Sequence, residues 1–378
     1  MEFRDLKQQY KKLKSSIDQN IAEVISSAHF ISGEQVQILE RMLAEFVGVK
    51  HCISCGNGTD AISIALMAYG VGKEDAVFVP DFTFFSSGES PAAVGAVPVF
   101  VDVKEDTYNI DPYSLEKAIE RVIFDNKYRP RAVIAVDLFG LPAEYGVIKD
   151  ICRKYGLLLL EDGAQGFGGA INNQRVCSFG DISTTSFFPA KPLGCYGDGG
   201  AIFTDNDEIA SICRSITVHG KNADDKYDNI RIGMNSRLDT LQAAILISKF
   251  EAFKKFELEE VNRIALEYME KLKAIEGLVL PVVPEDYYSS WAQYTIKLPV
   301  GTDRNSVQNE LRKQGIPTNI YYTKTMHNQQ AFANSYSSIA DCPVAERLCK
   351  QVLCLPIHPY LTKEEIEKVG NSLFEVLC

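Results

Sequence analysis

Residues 131–162 read "RAVIAVDLFGLPAEYGVIKDICRKYGLLLLED". Two short apolar runs, 131–137 and 156–162, flank a segment (144–156) whose apolar positions recur at helical spacing. The outer runs are β-branched or leucine-rich and do not alternate with polar residues, as in strands buried on both faces of a parallel sheet. The middle segment ends in glycine, a helix stop. Strand, crossover helix and strand together make a βαβ unit.

The same texture extends on both sides, from about residue 36 to 215. "QVQILERMLAEFVG" puts Val36, Leu39, Met42, Leu43, Phe46 and Val47 on one helical face. "HCIS" reads as a short strand followed by a turn and a helix, and "DAVFVP" and "VPVFVDV" as two more buried strands. From about residue 235 the pattern changes. Nearly forty residues beginning "RLDTLQAAIL" carry helical periodicity. "WAQYTIKLPV", "SVQNELRKQG", "IPTNIYY" and "TKEEIEKVGNSLFEVL" then suggest a second, smaller α/β unit. The expected architecture is a large domain with a mainly parallel sheet over residues 1–250 and a small C-terminal α/β domain over 251–378.

The chain has 378 residues, 46% of them hydrophobic and 24% charged, an ordinary soluble composition. No apolar run reaches the roughly 20 residues that cross a bilayer. The N-terminal stretch lacks the apolar core of a secretory signal, so a cytoplasmic location is expected. A net charge of −11 opposes a nucleic-acid partner. Cys52 and Cys55 form a Cys-x-x-Cys without a second pair or a His-x₃₋₅-His partner, so neither zinc nor disulfide is expected. The other cysteines are scattered and read as free thiols.

Ligands of open α/β sheets bind at the carboxyl ends of the strands, and three stretches fall there. "SCGNGTDA" follows a strand and opens a helix, so the amides of Gly58, Thr59 and Asp60, with the Thr59 hydroxyl, suit a phosphate; a simply capped turn has the same pattern. "LLLLEDGAQGFGG" ends a buried strand in Glu161 and Asp162, carboxylates that are costly there unless they meet a cation or donor. A helix N-cap is the alternative reading; Gln165, three residues on, is placed to share a ligand. "SFFPAKPLGCYGDGGA" (186–201) fixes Lys191 between prolines, ahead of four glycines, with Ser186 at its start. A phosphate cradle, a buried anion and a pinned lysine are what pyridoxal phosphate requires: a lysine to form the Schiff base, an anion for the pyridine nitrogen and donors for the phosphate.

On these residues, together with "VPDFTF", "GAVPVFVDV", "TYNIDP", "GMNSRLDTLQAAIL" and "LPIHPYLT", the chain resembles the DegT/StrS-type sugar-nucleotide aminotransferases nearly end to end. The resemblance implies the aspartate-aminotransferase-like fold and pyridoxal phosphate as cofactor. It implies Lys191 as the lysine that carries the cofactor, Asp162 at the pyridine nitrogen and Phe84 stacked on the ring. Gln165 is implied near the phenolic oxygen, and Gly58, Thr59 and Ser186 at the phosphate. Asn235 is implied to reach the phosphate from a second subunit, hence a homodimer with shared sites. Arg237, Tyr321, Tyr322 and His219 are implied on the substrate side. The amino donor expected is glutamate, the kinetics ping-pong, and the pathway cell-surface polysaccharide or glycoconjugate synthesis.

Within the family, the lysine stretch is most similar to the branch acting on UDP-2-acetamido-2-deoxy-3-oxo-glucuronate, whose carboxylate Arg237 would hold. Three positions depart from the pattern: Gly163 replaces the usual alanine, Tyr321 precedes Tyr322 where histidine is common, and Asp81 is an unusual acid. A pocket holding Asp81 and Tyr321 favours an uncharged 3-keto or 4-keto sugar instead. His358 reads as structural, and His29, His51 and His327 as outside the site. A dehydratase of the same family would carry histidine where Lys191 stands. A non-catalytic cofactor-binding regulator is the remaining alternative, without a visible DNA-binding motif. A nicotinamide dehydrogenase would need a Gly-x-Gly-x-x-Gly that is missing here.

Overall fold

The computed structural model describes residues 1–222, 224–225 and 227–378. The runs identified above form β1 (His51–Cys55), β2 (Asp75–Pro80), β3 (Val97–Val101), β4 (Arg129–Val136) and β5 (Leu158–Asp162). A small hairpin of β6 (Ala170–Ile171) and β7 (Gln174–Arg175) precedes β8 (Ile182–Ser186) and β9 (Gly200–Thr204). Seven strands join in the order β1-β9-β8-β5-β4-β2-β3. Only β9 runs against the rest, pairing antiparallel with both β1 and β8. The expected mainly parallel α/β fold is therefore the one adopted.

Helices α1 (Leu6–Ser27) and α2 (Glu34–Val47) lead into the sheet. They are followed by α3 (Gly58–Ala68), α4 (Ser86–Ala93), α5 (Pro112–Asp125), α6 (Tyr145–Tyr155) and α7 (Asp207–Ile216). The crossover predicted between 144 and 156 is α6, closed by Gly156 at φ 65°, a left-handed cap suited to glycine. Strand alternation divides the core in two. Ala76 and Phe78 pack with Leu43, Leu115 and Ile148, whereas Val77 and Val79 pack with Ile62, Ile64 and Ile216 on the opposite face. Each such fully buried large side chain is worth about 1.5–3 kcal/mol. The same alternation separates the Cys-x-x-Cys pair. Cys52 joins the first cluster and Cys55 the second, so three positions along a strand put the thiols on opposite faces.

The long periodic stretch is α8 (Thr240–Ala252), one π-helical turn at Phe253–Glu257, and α9 (Leu258–Leu272). Then come β10 (Tyr287–Tyr288), β11 (Tyr294–Lys297), α10 (Arg304–Lys313), α11 (Pro343–Gln351), β12 (Val352–Leu355) and α12 (Lys363–Leu377). The pair β11–β12 and helices α9, α10 and α12 enclose a third cluster that includes Tyr268, Tyr294, Leu311, Leu353 and Leu373. "IPTNIYY", one of the stretches assigned to the small unit, makes one bridge among the described residues, Asn319 to Cys354, and otherwise crosses the cavity described next. No helix among the described residues is long and apolar enough to cross a membrane.

Candidate active site at the carboxyl ends of the strands

A cavity of about 670 Å³ opens where β1, β4, β5 and β8 end, walled on its far side by residues 320–329. Gly58, Thr59, Phe84, Asp162, Gln165, Ser186, Lys191, Tyr321 and Tyr322 all line it.

The phosphate corner is the start of α3. Asn57 caps that helix, its side chain accepting from the Asp60 amide at 2.8 Å. Asp60 is thus spent on the cap, which corrects its place among the expected phosphate donors. The Gly58 and Thr59 amides, first in the helix, have no acceptor within it. The Thr59 hydroxyl lies 2.6 Å from that of Ser86, and Ser186 closes the corner. A Cβ on Gly58 would stand 2.7 Å from the Ser186 Cβ, so this corner is open only because residue 58 is glycine.

Asp162 ends β5 and is buried. Its carboxylate accepts from the Ser87 hydroxyl at 2.9 Å and the Ala164 amide at 3.2 Å. Burial raises its pKa, opposed by Lys191 and these two donors. Burial lowers the pKa of Lys191; Asp162 opposes that shift and Arg4 adds to it. The neighbouring Glu161 faces away and meets donors instead of a cation: the amides of Phe179 (2.7 Å) and Gly180 (3.1 Å) and the Ser183 hydroxyl (2.8 Å).

Lys191 sits on a doubled-back loop. Its amide donates to Phe188 O at 2.9 Å, and Cys195 N returns to Phe187 O at 2.7 Å. A Cβ on Gly194 would lie 2.5 Å from Pro189 O, so the fold of the loop requires that glycine. Arg4 donates from Nη2 to the Lys191 carbonyl at 2.8 Å, holding the peptide from behind. Phe84, at 53% exposure, is not a core residue; its ring stands in the cavity wall. Gln165 bridges the Phe139 amide (2.9 Å) and the Tyr322 hydroxyl (3.0 Å), which fixes both polar groups at the cavity edge.

Three expected residues stay outside. Asn235 is exposed and bridged to Val218; His219 is exposed at φ 66° and donates from its amide to Met234 O; Arg237 is half-buried. None of them lines the cavity of this chain. Asp81 does not enter the pocket either. It is fully buried under it, accepting from the His327 amide at 2.8 Å and from the ring Nδ1 at 2.6 Å, so its proposed effect on the sugar is removed. At Gly163, where alanine is usual, a side chain has no room. Val176 and Cys177 fill the space a Cβ would need, 2.7 Å from it.

Sequence reasoning missed Ser86, Ser87, Lys324 and Arg4. The serines follow Phe84 at a helix start, a recognisable donor signal. Lys324 lines the cavity from the segment that follows "IPTNIYY". Arg4 carries no local signal, because its partner is 187 residues away.

These residues fit pyridoxal phosphate: open glycine corner, ring of hydroxyls, buried carboxylate, amine and exposed aromatic face. The model of the DegT/DnrJ/EryC1/StrS aminotransferase family matches residues 11–374. The chain is 44% identical over 373 residues to UDP-2-acetamido-2-deoxy-3-oxo-D-glucuronate aminotransferase of Pseudomonas aeruginosa, covering 99% of each chain. It is 40% identical to a pleiotropic regulatory protein of Geobacillus stearothermophilus, covering 98% of this chain and 97% of that one. Among solved structures, a DegT DnrJ EryC1 StrS aminotransferase from Brucella abortus superposes with TM-score 0.96 at 43% identity, covering 100% and 99% of the two chains. The Bacillus subtilis protein NtdA, solved with its cofactor PMP (pyridoxamine phosphate) bound, gives TM-score 0.89 at 30% identity over 97% and 82%. Fold, cavity chemistry and likeness along the whole length agree: the chain belongs to the DegT/DnrJ/EryC1/StrS aminotransferase family.

Proposed function

We propose that the protein is a pyridoxal-phosphate-dependent aminotransferase that moves an amino group from L-glutamate to a 3-keto sugar nucleotide, UDP-2-acetamido-2-deoxy-3-oxo-glucuronate. The observation that carries the reading is the convergence of Lys191, Asp162, Phe84 and the Thr59–Ser86–Ser186 hydroxyls on one cavity. Bound there, pyridoxal phosphate supplies an electron sink for charge developing at the α-carbon of the donor. Asp162, held by Ser87, keeps a proton on the pyridine nitrogen. Gly58, Thr59 and Ser186 would hold the phosphate, Phe84 would lie against the ring and Gln165 would meet its phenolic oxygen. Lys191, whose burial favours the neutral amine, takes the α-proton as general base and returns it to the second substrate.

The sugar assignment rests on the Pseudomonas relative and on charge. With Asp81 sealed beneath the floor, Lys324 adds a second basic side chain to the cavity besides Lys191, and Tyr321 and Tyr322 beside it complete the substrate wall. Asn235, Arg237 and His219 stand together outside, on a segment with Ile230 and Ile232 exposed at 53% and 85%. That arrangement supports a homodimer in which Asn235 reaches the partner's phosphate, and Arg237 and His219 its sugar. Three separate hydrophobic clusters support a division near residue 250, although α11 packs Ala345 and Leu348 into the large-domain core. A cytoplasmic site in polysaccharide or glycoconjugate synthesis completes the reading.

The test is to supply the purified protein with pyridoxal phosphate, glutamate and the 3-oxo sugar nucleotide, following the sugar by mass spectrometry and 2-oxoglutarate by coupled assay. Equimolar 2-oxoglutarate and a 3-amino sugar are expected, with parallel double-reciprocal lines. Cofactor binding without either product would favour the regulatory role named for the Geobacillus relative.

A further inference from the structure

The five residues before α1 touch two parts of the cavity wall from outside. Phe3 sets its ring edge-on to Tyr321, with centroids 6.4 Å apart. The Arg4 guanidinium donates from one nitrogen to two successive carbonyls, Lys191 at 2.8 Å and Pro192 at 3.4 Å. Its compensating charge is Glu257, a buried carboxylate that also accepts from Gln9 Nε2 at 2.9 Å and from the Tyr360 hydroxyl. An arginine could have met a carboxylate directly. Here Nη2 of the half-buried Arg4 is spent on the carbonyls of Lys191 and Pro192, and its charge disfavours a second charge on that lysine's amine.

We propose that Arg4 is a positioning residue for Lys191: its guanidinium pins the peptide from which the amine projects and sets a fixed positive charge against that peptide. The inference rests on Lys191 being the lysine that carries the cofactor. Both parts have a physical basis. A lysine side chain has four rotatable bonds, so the amine returns to one atom only if the backbone beneath it is fixed. A cation held at short range disfavours a second positive charge. The groups that face the Lys191 amine oppose or support this from separate elements. Asp162 at the end of β5 favours the charged form, and Arg4 disfavours it. The Tyr322 hydroxyl, Lys324 and Asp198 stand in the same cavity wall.

Arg4→Gln retains a donor but not the charge, whereas Arg4→Lys retains the charge. In the cofactor-free protein, the titration midpoint of Lys191 is read from pH-dependent acylation of that one residue by peptide mass spectrometry. In the loaded enzyme it is read from the pH titration of the visible cofactor band. Losing the cation should raise both midpoints by about half a pH unit or more in Arg4→Gln, with the glutamate half-reaction slowed about threefold or more at neutral pH. Arg4→Lys should restore the midpoints. If both variants melt lower yet titrate as the unsubstituted protein does, Arg4 is only an anchor for α1 and the inference is wrong. If the unsubstituted protein itself shows no visible band, or keeps it in Lys191→Ala, then the assignment of Lys191 fails instead.

Discussion

At the scale of single residues, the site depends on two groups that each make the other's burial tolerable. Burial pushes the Asp162 carboxyl up and the Lys191 ammonium down, and each opposes the shift of the other. Ser87 adds a direct hydrogen bond to the carboxylate at 2.9 Å. A hydrogen bond to a charged group contributes about 1.5–3 kcal/mol. Ser87→Ala should therefore raise the Asp162 pKa further and slow the glutamate half-reaction roughly tenfold or more, measured by stopped-flow absorbance. An unchanged rate would mean that Asp162 does not need the serine to stay ionised. Lys191 and Asp162 were legible in the sequence because each sits in a run whose local chemistry is unusual. Asp81 was misread. A position at the end of a strand does not say which way the side chain turns, and its partner His327 lies 246 residues along the chain. Burial and the Asp81 bond pull the His327 pKa in opposite directions, and the bond wins, leaving it raised.

At the scale of elements, the first turn of α3 is the most demanding piece. The cap by Asn57, the amides of Gly58 and Thr59 and the nearness of β8 are set by a single contact, a virtual Cβ 2.7 Å from Ser186. Gly58→Ala must move either the helix or the strand. We expect it to cost about 1–3 kcal/mol in stability, as overpacking does, and to weaken cofactor binding at least tenfold, read by thermal melting and by titration with pyridoxal phosphate. Retained affinity would mean that the phosphate is held elsewhere. The helices and the buried strands around this turn were legible because period and burial agree: β2 is buried along its whole length and reads as five unbroken apolar or small positions after Asp75. The wall at 320–329 was not legible. It forms no named strand among the described residues; the nearest bridge is at the preceding Asn319, and the wall is held by contacts from distant elements, including Phe3 and Asp81.

At the scale of the whole molecule, pH and assembly give separate tests. His358 is buried, its Nε2 meets no partner among the described residues, and its pKa is pushed down to about 4 by burial and then by Arg4. The unfolded chain binds that proton at an ordinary histidine pKa near 6.5, so stability from this group is present above about pH 6.5 and is lost as pH falls toward 4. The loss between pH 7 and pH 5 is about 2 kcal/mol. His358→Asn should flatten the pH dependence of Tm over that range; an unaltered slope would place the titrating group elsewhere. The homodimer is tested by mixing. Lys191→Ala and Asn235→Ala subunits, each inactive alone, should regain about a quarter of full activity when co-expressed, because half the dimers are hybrids and each hybrid has one intact site. No recovery would confine Asn235 to its own chain. Nothing local in the sequence distinguishes a residue that completes its own site from one that completes a neighbour's.

The account turns on Lys191, and the visible absorption spectrum tests it most directly. The protein supplied with pyridoxal phosphate is measured before and after glutamate, beside Lys191→Ala. The account predicts a yellow band that bleaches with glutamate, releasing 2-oxoglutarate, and a variant that neither forms the lysine-bound band nor turns over. A band that persists unchanged in Lys191→Ala, or one that ignores glutamate, would contradict it.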